Sequence, residues 1–393
     1  MTATRHFLLA AGGTGGHMLP AYALAGELIA RGHRVALVSD DRGLKIPGAP
    51  AELETHVLPA GRVQGGPIGW LKAALAIRKG RRQAIDLIRS FDPAVVVGFG
   101  GYPSLPSLLA AGATKRPRVI HEQNAVLGRV NRMMAPRVDA VAVAYRNIQR
   151  FPAGHEAKLH ITGNPVRDEI VAIRDDGFPP LPEDGIFRLL VVGGSLGATV
   201  LSDVVPAAIA MLPRALLDRL QVVQQCREAD LETVRGKYAE LGVAAECAPY
   251  IADFPERLRW AHLVIARAGA STVAELACAG RPAIFVPYPH AMDNHQTYNV
   301  VDLVEAGGAI SFQQPDFTAA EVAKHIQRMA LEPGALEEAA ERAAGCGLPD
   351  ATRDLADLVE SFAAPPMMDV IRVGAPARAA VAGSIAATRA GDA

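Results

Sequence analysis

Three glycine-rich loops follow apolar runs of the chain, and loops of this kind are typical of sites that hold phosphate groups. They are AGGTGGH at residues 11–17, GFGGYPS at 98–104 and VVGGSLGA at 191–198. Glycine lets main-chain N–H groups approach an anion at a helix N-terminus, where the helix dipole contributes about 0.3–1 kcal/mol. A tight turn without a ligand explains one such loop equally well. Three loops at the carboxyl ends of predicted parallel strands favour a cleft that binds a phosphorylated ligand.

Polar residues also gather where other predicted strands end. These segments are HEQN (121–124), GNPVR (163–167), RAGASTVAE (267–275) and DNHQTYN (293–299). Simpler explanations stay open for several of them. Thr272 and Glu275 fit the S/T-x-x-E capping box of a helix, so Glu275 could only cap its own helix. Arg167 could form an ordinary surface ion pair, and His121 and Glu122 could be a polar pair at a strand end.

His17 closes the first glycine loop, where a neutral imidazole can accept a proton from a reacting hydroxyl. General base catalysis typically contributes about 10²–10⁴ in rate. The alternative is that His17 only orients or hydrogen-bonds a substrate or a nearby loop, and Glu122 is the rival base. The residue types therefore predict proton transfer in the cleft but do not decide between these two side chains.

The elements that must position these residues are short apolar runs alternating with amphipathic helical patterns, which are typical of parallel sheets covered by helices. The predicted strands are 6–11, 34–38, 94–98, 118–120, 140–144, 188–192, 221–224, 263–266 and 282–286. The clearest predicted helices are 20–31, 70–89, 272–279 and 350–364. Because the pattern of strand, glycine loop and helix starts twice, at residues 6 and 188, it predicts two tandem Rossmann-like domains joined near residues 161–169.

Composition and charge narrow the class of protein. A chain of 393 residues usually exceeds one hydrophobic core, which agrees with two domains. Residues 1–166 carry 21 Lys and Arg against 10 Asp and Glu, whereas the remainder carries 19 against 31. The basic half is expected to face an anionic partner. Sparse aromatic residues argue against nucleic acid, and no apolar stretch predicts a signal peptide or a membrane span. The four cysteines lack zinc-like spacing and are expected to be reduced thiols of a cytosolic protein.

The segment IGWLKAALAIRKGRRQAIDLIR (68–89) interleaves apolar with basic residues. The apolar ones are Trp70, Leu71, Leu75 and Ile77, and the basic ones are Lys72, Arg78, Lys79, Arg81, Arg82 and Arg89. A helix of this kind is predicted to lie on an anionic membrane surface, where each Lys or Arg contributes about 1 kcal/mol. A solvated helix with its apolar stripe in the core is the open alternative.

Seven motifs, in register, give the chain a resemblance to the MurG family, the UDP-N-acetylglucosamine:lipid I N-acetylglucosaminyltransferases of peptidoglycan synthesis. In chain order they are AGGTGGH, GFGGYPS, HEQN, GNPVR, VVGGSLGA, RAGASTVAE and DNHQTYN. The resemblance covers roughly residues 6–362. It implies an α/β protein of the GT-B glycosyltransferase fold, with two Rossmann-like domains whose parallel sheets face a central cleft.

The resemblance also implies domain boundaries. Residues 1–163 form an acceptor-binding, membrane-facing domain, and residues 164–348 form a domain that binds the UDP-sugar. Residues 349–364 form a helix that packs back on the first domain. The alanine-rich tail at 365–393, which has no periodicity, is expected to be disordered.

Carried over by position, the resemblance places the sugar nucleotide between the two domains. The N-terminal domain contacts it through Thr14, Gly15, Gly16 and Asn124. The C-terminal domain contacts it through Arg167, Ser195, Ile251, Ala270, Ser271, Thr272, Glu275 and Gln296. Arg167 and Ser195 hold the diphosphate, and Glu275 accepts the ribose hydroxyls. The main chain of Ile251 meets the uracil, and Gln296 binds sugar hydroxyls in preference to His295.

The implied reaction is an inverting transfer of N-acetylglucosamine from UDP-N-acetylglucosamine to undecaprenyl-pyrophosphoryl-MurNAc-pentapeptide (lipid I). His17 or Glu122 is the catalytic residue, and no cofactor or metal ion takes part. The implied location is the cytoplasmic face of the inner membrane, as a peripheral protein. One alternative is a GT-B enzyme that uses a UDP-sugar on another lipid, such as diacylglycerol. Another is a sugar-nucleotide-binding regulator, which would keep Arg167 and Glu275 but tolerate the loss of His17 and Glu122.

Overall fold

The structure, a computed structural model, describes residues 4–59, 66–194 and 197–363, and only the main chain of Pro67, Ile68 and Trp70. Within these ranges the chain forms two parallel β-sheets flanked by helices. No helix in the same ranges has both the length and the apolar character needed to cross a membrane. The tail that the sequence predicts to be disordered, residues 365–393, lies outside the described residues.

Among the described residues, the N-terminal half contributes a sheet of seven strands. They are β1 (His6–Ala10), β2 (Arg34–Ser39), β3 (Glu54–Val57), β4 (Val95–Gly98), β5 (Arg118–Glu122), β6 (Ala140–Val143) and β7 (Leu159–Ile161). The helices of this half are α1 (Gly15–Ala30), α2 (Pro67–Phe91), α3 (Ser104–Ala113) and α4 (Arg129–Met134). The strands lie in the order β3-β2-β1-β4-β5-β6-β7, so the direction of winding reverses between β1 and β4. Ligands of open α/β sheets bind at this reversal, outside the carboxyl ends of the strands.

The C-terminal half, as far as it is described, has a sheet of six strands. They are β8 (Phe187–Val192), β9 (Leu220–Gln225), β10 (Ala244–Ala248), β11 (Leu263–Ala266), β12 (Ala283–Phe285) and β13 (Ala309–Ser311). Their order is β10-β9-β8-β11-β12-β13, with the reversal between β8 and β11. The helices after the linker are α5 (Asp168–Val171), α6 (Ile173–Asp176), α7 (Thr199–Ile209), α8 (Arg214–Leu217), α9 (Leu231–Glu240), α10 (Phe254–Trp260), α11 (Ala270–Cys278), α12 (His295–Asn299), α13 (Val301–Glu305), α14 (Ala319–Leu331), α15 (Ala335–Cys346) and α16 (Ala351–Ser361).

Central strands such as β4 (VVVG) and β11 (LVIA) are apolar along their whole length because helices cover both faces of each sheet. Phe7 and Leu9 of β1 pack into the cluster that α1 fills, whereas Leu8 packs on the opposite face with Ile88 of α2. All four side chains are buried. The two strand faces therefore fix α1 on one side of the sheet and α2 on the other.

The last described helix, α16, packs on the N-terminal half. Leu355, Ala356 and Val359 are buried in the same cluster as Met18 and Leu24 of α1. The chain therefore passes between the two halves twice, once between β7 and α5 and once between α15 and α16.

The nine predicted strands are all present, with bounds that differ by at most two residues. Four further strands, β3, β7, β10 and β13, were not predicted, and each lies at an edge of its sheet. The prediction that the first helix starts at residue 20 is wrong, because α1 begins at Gly15 and the glycine loop supplies its first turn.

Candidate active site

The first glycine loop ends in the exposed N-terminus of α1. Thr14 is the N-cap residue, and Gly15 and Gly16 are the first two helical residues. N–H groups in the first turn of a helix have no carbonyl partner within the helix, so they are available to an anion. A Cβ on Gly12 would lie 2.4 Å from Cγ of Pro103, so a glycine is needed for the close approach between this loop and the second one, residues 98–104.

The ring of His17 lies between the second glycine loop, residues 98–104, and the HEQN segment. Cβ atoms on Gly100 and Gly101 would lie 3.4 Å from Cε1 and 3.5 Å from Cδ2 of His17, and both glycines have positive φ angles of 86° and 73°. On its other edge, Nδ1 of His17 is 2.9 Å from Oε1 of Gln123. The half-buried ring is therefore held by two segments, with Nε2 left without a hydrogen bond to the described residues.

Glu122 is buried at 2% exposure, and its carboxylate organises the turn after β5. Its Oε1 accepts hydrogen bonds from the main-chain N–H and the side-chain amide of Asn124, at 3.1 and 3.3 Å. Its Oε2 accepts from the N–H of Gly128 at 2.8 Å and from Asn131 Nδ2 at 2.9 Å. The sequence placed His121 and Glu122 after the strand, but they are the last two residues of β5. Both carboxylate oxygens of Glu122 are therefore occupied by the loop itself.

His121 is fully buried and connects this segment to the linker between the halves. Its Nε2 is 2.9 Å from the carbonyl oxygen of Gly163, and its Nδ1 is 3.0 Å from Nε2 of Gln123. Burial lowers the pKa of His121 to about 4, although the hydrogen bond that His121 donates to the Gly163 carbonyl acts to raise it. The ring is therefore neutral near pH 7.

In the C-terminal half, three of the predicted donor-binding residues, Ala270, Ser271 and Thr272, form the N-terminus of α11. Gly269 is the N-cap, and Ala270, Ser271 and Thr272 make the first turn. The interpretation of Thr272 and Glu275 as a capping box is wrong, because the helix begins before Thr272. Oγ of Ser271 is buried and has no hydrogen-bond partner among the described residues, as expected for a group that meets a ligand or water.

Arg167 and Glu275 form an ion pair, with Nη2 of Arg167 3.2 Å from Oε1 of Glu275. Glu275 is 8% exposed, and its burial raises the pKa of the carboxyl group while the Arg167 charge partly offsets that effect. The guanidinium is more accessible, at 37% side-chain exposure. The two residues that the sequence assigns to diphosphate and ribose therefore occupy one site and neutralise each other.

Asn299 of α12 joins the two halves directly. Its Oδ1 accepts a hydrogen bond from the N–H of Ala125 at 2.8 Å, and its Nδ2 donates to Oδ1 of Asn124 at 3.2 Å. Sequence reasoning missed this role, although Asn299 is the last residue of the quoted DNHQTYN motif. Asn124, a predicted donor contact, is therefore held by both halves of the chain.

A second contact between the halves is ionic. Asp293 pairs with Arg132 at 2.9 Å and with Arg150 at 2.7 Å. Sequence reasoning missed this contact as well, because the three residues are far apart in the chain and carry no pattern that links them.

The remaining predicted residues have separate surroundings. Ile251 is 9% exposed and lies just beyond β10, after the exposed Tyr250. Oε1 of Gln296 accepts a hydrogen bond from the N–H of Tyr288 at 2.8 Å, which leaves its amide nitrogen to donate. His295 instead donates from Nδ1 to the carbonyl of Met292 at 2.8 Å. Ser195 lies outside the described residues.

Arg267 is a further residue that sequence reasoning passed over. Its guanidinium lies 5.5 Å from the centre of the Tyr288 ring and donates to the carbonyls of Val286 and Pro287 at 3.0 and 3.2 Å. Its place in the quoted RAGASTVAE motif was the available signal. Arg267 fixes the course of the loop that presents Gln296.

The α1 and α11 helices contact each other, so groups from both halves meet at one cleft. Residues 7–143 match the glycosyltransferase family 28 N-terminal domain, and residues 188–355 match the glycosyltransferase family 28 C-terminal domain. Together with the two parallel sheets, these matches define a glycosyltransferase of the GT-B fold, and the predicted fold class is confirmed.

The more detailed comparisons agree. The chain is 89% identical over 389 residues, 99% of either protein, to the UDP-N-acetylglucosamine--N-acetylmuramyl-(pentapeptide) pyrophosphoryl-undecaprenol N-acetylglucosamine transferase of Sphingopyxis alaskensis. It is 56% identical to the transferase of that name from Novosphingobium aromaticivorans, over 96% of this chain and 98% of the relative. The chain belongs to the MurG family.

Solved structures give the same assignment. The crystal structure of Acinetobacter baumannii MurG superposes with a TM-score of 0.72 at 30% identity, over 91% of this chain and 99% of that one. A UDP-GlcNAc 2-epimerase from Neisseria meningitidis, bound to UDP-GlcNAc, superposes with a TM-score of 0.62 at 12% identity, over 91% of this chain and 100% of that one. At that identity the second likeness concerns the fold alone.

Proposed function

We propose that this chain transfers N-acetylglucosamine from UDP-N-acetylglucosamine to lipid I, which gives lipid II for peptidoglycan synthesis. The observation that carries the proposal is the 89% identity to a curated transferase of that specificity, over 99% of either chain. Every motif of the cleft lies within that alignment. A UDP-sugar transferase for another lipid acceptor is the alternative that the experiment below must exclude.

In this reaction the acceptor hydroxyl oxygen attacks the anomeric carbon of the donor sugar from the face opposite UDP. The bond from that carbon to the diphosphate oxygen breaks, and UDP leaves with the electron pair. The acceptor proton passes to a base, and a single displacement inverts the configuration to a β1→4 link. The protein must therefore supply one proton acceptor and stabilise one leaving diphosphate.

The geometry favours His17 over Glu122 as the proton acceptor. Nε2 of His17 carries no hydrogen bond from the described residues, whereas both oxygens of the Glu122 carboxylate accept hydrogen bonds from their own loop. A base must reach the hydroxyl it deprotonates, and Glu122 is buried at 2% exposure. We therefore assign Glu122 to positioning Asn124 and the loop that carries it.

Donor binding falls to the C-terminal half. Arg167, now paired with Glu275, exchanges that partner for the diphosphate, while Glu275 accepts the ribose hydroxyls. The N–H groups in the first turn of α11 lie about one turn before Glu275 in the same helix and interact favourably with an anionic ligand. Pre-organised donors of this kind are worth roughly 10²–10³ in rate each when the leaving group develops charge.

Acceptor binding falls to the N-terminal half, residues 1–163, which carries the excess of basic residues. The first glycine loop, residues 12–16, and the loop at Gly100 and Gly101 form a cradle for the acceptor diphosphate, while Thr14, Gly15 and Gly16 also reach the donor from this side. Residues 164–348 form the donor domain in this assignment. The enzyme acts at the cytoplasmic face of the inner membrane, where a lipid-linked acceptor is presented.

The test is transfer of radiolabelled sugar to a lipid I analogue with a shortened lipid. UDP-N-acetylglucosamine is compared with UDP-N-acetylgalactosamine as donor, and the lipid I analogue with diacylglycerol as acceptor. Product from the first donor and the lipid I analogue alone is the expected result. Product on diacylglycerol would establish the alternative acceptor instead.

A His17→Ala variant tests the base in the same assay, with His155→Ala as the matched control in a loop away from the cleft. We expect kcat to fall at least a hundredfold for His17→Ala and the donor KM to stay within about twofold. A loss of less than tenfold in kcat would remove His17 as the base.

A further inference from the structure

His17 is the first member of a chain of hydrogen bonds that runs from the cleft to the linker between the halves. Nδ1 of His17 is 2.9 Å from Oε1 of Gln123, and Nε2 of Gln123 is 3.0 Å from Nδ1 of His121. Nε2 of His121 is 2.9 Å from the carbonyl oxygen of Gly163. Each of these hydrogen bonds needs one donor and one acceptor. The position of the hydrogen at one end of the series therefore determines which atom donates in every other hydrogen bond.

The direction of this chain is set at its buried end. The Gly163 carbonyl oxygen can only accept, so Nε2 of His121 must carry a hydrogen. His121 is completely buried beside the Phe99 ring, at 5.6 Å between ring centres, and the lowering of its pKa to about 4 keeps it neutral. A neutral ring with its hydrogen on Nε2 has an unprotonated Nδ1, which can only accept.

Gln123 must therefore turn its amide nitrogen toward His121. A second contact requires the same orientation, since Nε2 of Gln123 also lies 3.3 Å from the main-chain carbonyl oxygen of His121, another group that only accepts. The amide oxygen is left facing Nδ1 of His17, so that nitrogen must donate. In a neutral His17 ring the lone pair is then on Nε2.

Gly163, at the linker end of this series of hydrogen bonds, is held in place by its main-chain contacts. The N–H groups of Thr162 and Gly163 both donate to the carbonyl of Val143, at 3.1 and 3.2 Å. Gly163 has a φ of +81°, and a Cβ there would lie 2.8 Å from the Cβ of Ala351 at the start of α16. The Gly163 carbonyl, which ends the series of hydrogen bonds, is thus fixed by β6 and by α16, the last helix of the described residues.

We propose that Gln123 is a positioning residue that holds His17 in the tautomer with its hydrogen on Nδ1 and presents Nε2 as the basic nitrogen of the cleft. This inference rests on the proposed function, because Nε2 is the atom that takes the acceptor proton there. Free histidine favours the other tautomer, so the preference must come from the protein. His121 acts indirectly, because it orients the amide of Gln123 and makes no hydrogen bond with His17 itself.

The tautomer is read directly by nitrogen NMR on full-length protein labelled with ¹⁵N-histidine. The His17 signals among the 11 histidines are assigned by their loss in a His17→Gln variant. The wild type is expected to show a protonated Nδ1 and an unprotonated Nε2 at neutral pH. Gln123→Met, which keeps the side-chain length but removes both polar atoms, is expected to lose that pattern. Its kcat is expected to fall at least tenfold, with the KM for UDP-N-acetylglucosamine within twofold.

Two further variants separate this role from simple destabilisation. Gln123→Glu, which as a buried protonated acid keeps an oxygen toward His17 and a hydrogen toward His121, is expected to retain the Nδ1–H pattern. His121→Phe removes the nearer of the two acceptors that orient the amide, leaves only the main-chain carbonyl oxygen at 3.3 Å, and is expected to weaken the Nδ1–H pattern. Gln224→Met is the matched control, because Gln224 is also fully buried and bonded to a side chain, the Tyr238 hydroxyl, but lies in the other half. It is expected to leave the His17 signals unchanged.

An unchanged His17 pattern in both Gln123→Met and His121→Phe overturns the proposal. Loss of the pattern without loss of kcat supports the positioning role of Gln123 but overturns the assignment of His17 as the base. The two proposals therefore fail on different measurements.

Discussion

At the scale of single residues, the cleft holds polar side chains that pair with one another, and some of them are expected to exchange these partners for a ligand. The Arg167–Glu275 pair is the clearest case, since both members are expected to bind the donor. Burial already disfavours the Glu275 charge, which raises the pKa of that carboxyl group. Replacing Glu275 by glutamine removes the negative charge from the predicted donor site with little change in the shape of the side chain.

Glu275→Gln is expected to raise the KM for UDP-N-acetylglucosamine by roughly 10- to 100-fold with a much smaller change in kcat. The physical reason is the loss of charge-assisted hydrogen bonds to the ribose, worth about 1.5–3 kcal/mol. Steady-state kinetics with varied donor measure the change. Glu256→Gln, an exposed residue of α10, is the control. An unchanged donor KM would remove Glu275 from the donor site.

His121 also gives the stability a dependence on pH. Its pKa of about 4 in the folded protein lies below the ordinary value of 6.5. Between these values the unfolded chain binds a proton that the folded chain excludes, so the free energy of unfolding falls as the pH drops from 7 toward 4. The loss amounts to at most about 3 kcal/mol from this group.

Urea unfolding at pH 7, 6 and 5 measures this dependence. His121→Gln is expected to reduce the slope by about 1 kcal/mol per pH unit near pH 5, whereas the exposed His290→Gln serves as the control. Equal slopes in His121→Gln and the wild type would contradict the explanation. His262, whose pKa is also lowered to about 4 by burial, accounts for part of the slope that remains.

At the scale of elements, α2 divides its residues between the core and the surface. Ala84 and Ile88 are buried against the sheet and Ala73 is also buried, whereas Leu71 and Leu75 are 63% and 59% exposed. The exposed basic residues of the helix are Lys72, Arg78, Lys79, Arg81, Arg82 and Arg89. The helix therefore has one apolar face that packs in the core and another face, exposed to solvent, that carries both apolar and basic residues. Both interpretations of the sequence apply, each to a different face of α2. We propose that the outer face of α2 lies on an anionic membrane.

The Leu71→Glu and Leu75→Glu double variant is expected to reduce binding to vesicles containing anionic phospholipid at least tenfold. Each leucine would lose apolar contact with the membrane worth about 1 kcal/mol or more. The added glutamates would also be repelled by the anionic lipid headgroups. Co-sedimentation with the vesicles measures the change. Leu331→Glu, at a similarly exposed leucine of α14 in the other half, is the control. Equal binding by the double variant and the wild type would place the membrane contact elsewhere.

The elements that could be predicted from the sequence are those covered on both faces. Central strands such as VVVG at 95–98 are continuous apolar runs, and all of them were predicted. The four missed strands are ETHV, LHI, AAECA and AIS, each at a sheet edge. An edge strand has a neighbour on one side only and carries exposed or polar residues, so its pattern is that of a loop. The glycine loops were found because their chemistry is local.

The contacts that complete the candidate site are harder to predict from the sequence. The pairing of Arg167 with Glu275, and of Asn299 with Asn124, joins residues more than a hundred positions apart. The motifs located each residue near a strand end, but which of them touch depends on how two sheets and their linkers pack. The order of hydrogen bonds from His17 to Gly163 is likewise a property of packing.

At the scale of the whole molecule, the N-terminal half depends on the last described helix for its core. Leu355 of α16 is fully buried among residues of α1 and the first sheet. Arg31, the C-cap residue of α1, pairs with the Glu360 carboxylate at 2.6 Å, and Nε2 of His33 also contacts that carboxylate. Arg5 donates to the main-chain carbonyl of Glu360. This helix is therefore a structural part of the first half although it follows the second in the chain.

Leu355→Ala is expected to lower the free energy of unfolding by about 2–5 kcal/mol, because it leaves a cavity in that core. Hydrogen exchange is expected to show the loss of protection in α1 and β1 rather than in the second sheet. Leu331→Ala, at a leucine with 47% exposure, is the control and is expected to cost less than about 1 kcal/mol. Loss of protection spread evenly over both halves would contradict the packing described here.

The packing of α16 on the first half also affects the order in which the two halves can fold during synthesis. A ribosome releases the residues of the N-terminal sheet first, but the helix that closes their core is made only after the entire second half has emerged. The second half, whose strands and covering helices are contiguous, can complete its own sheet while the first still lacks this helix. The chain is in effect one domain inserted into another. A single proteolytic cut between α15 and α16 would therefore leave both pieces associated through the first core.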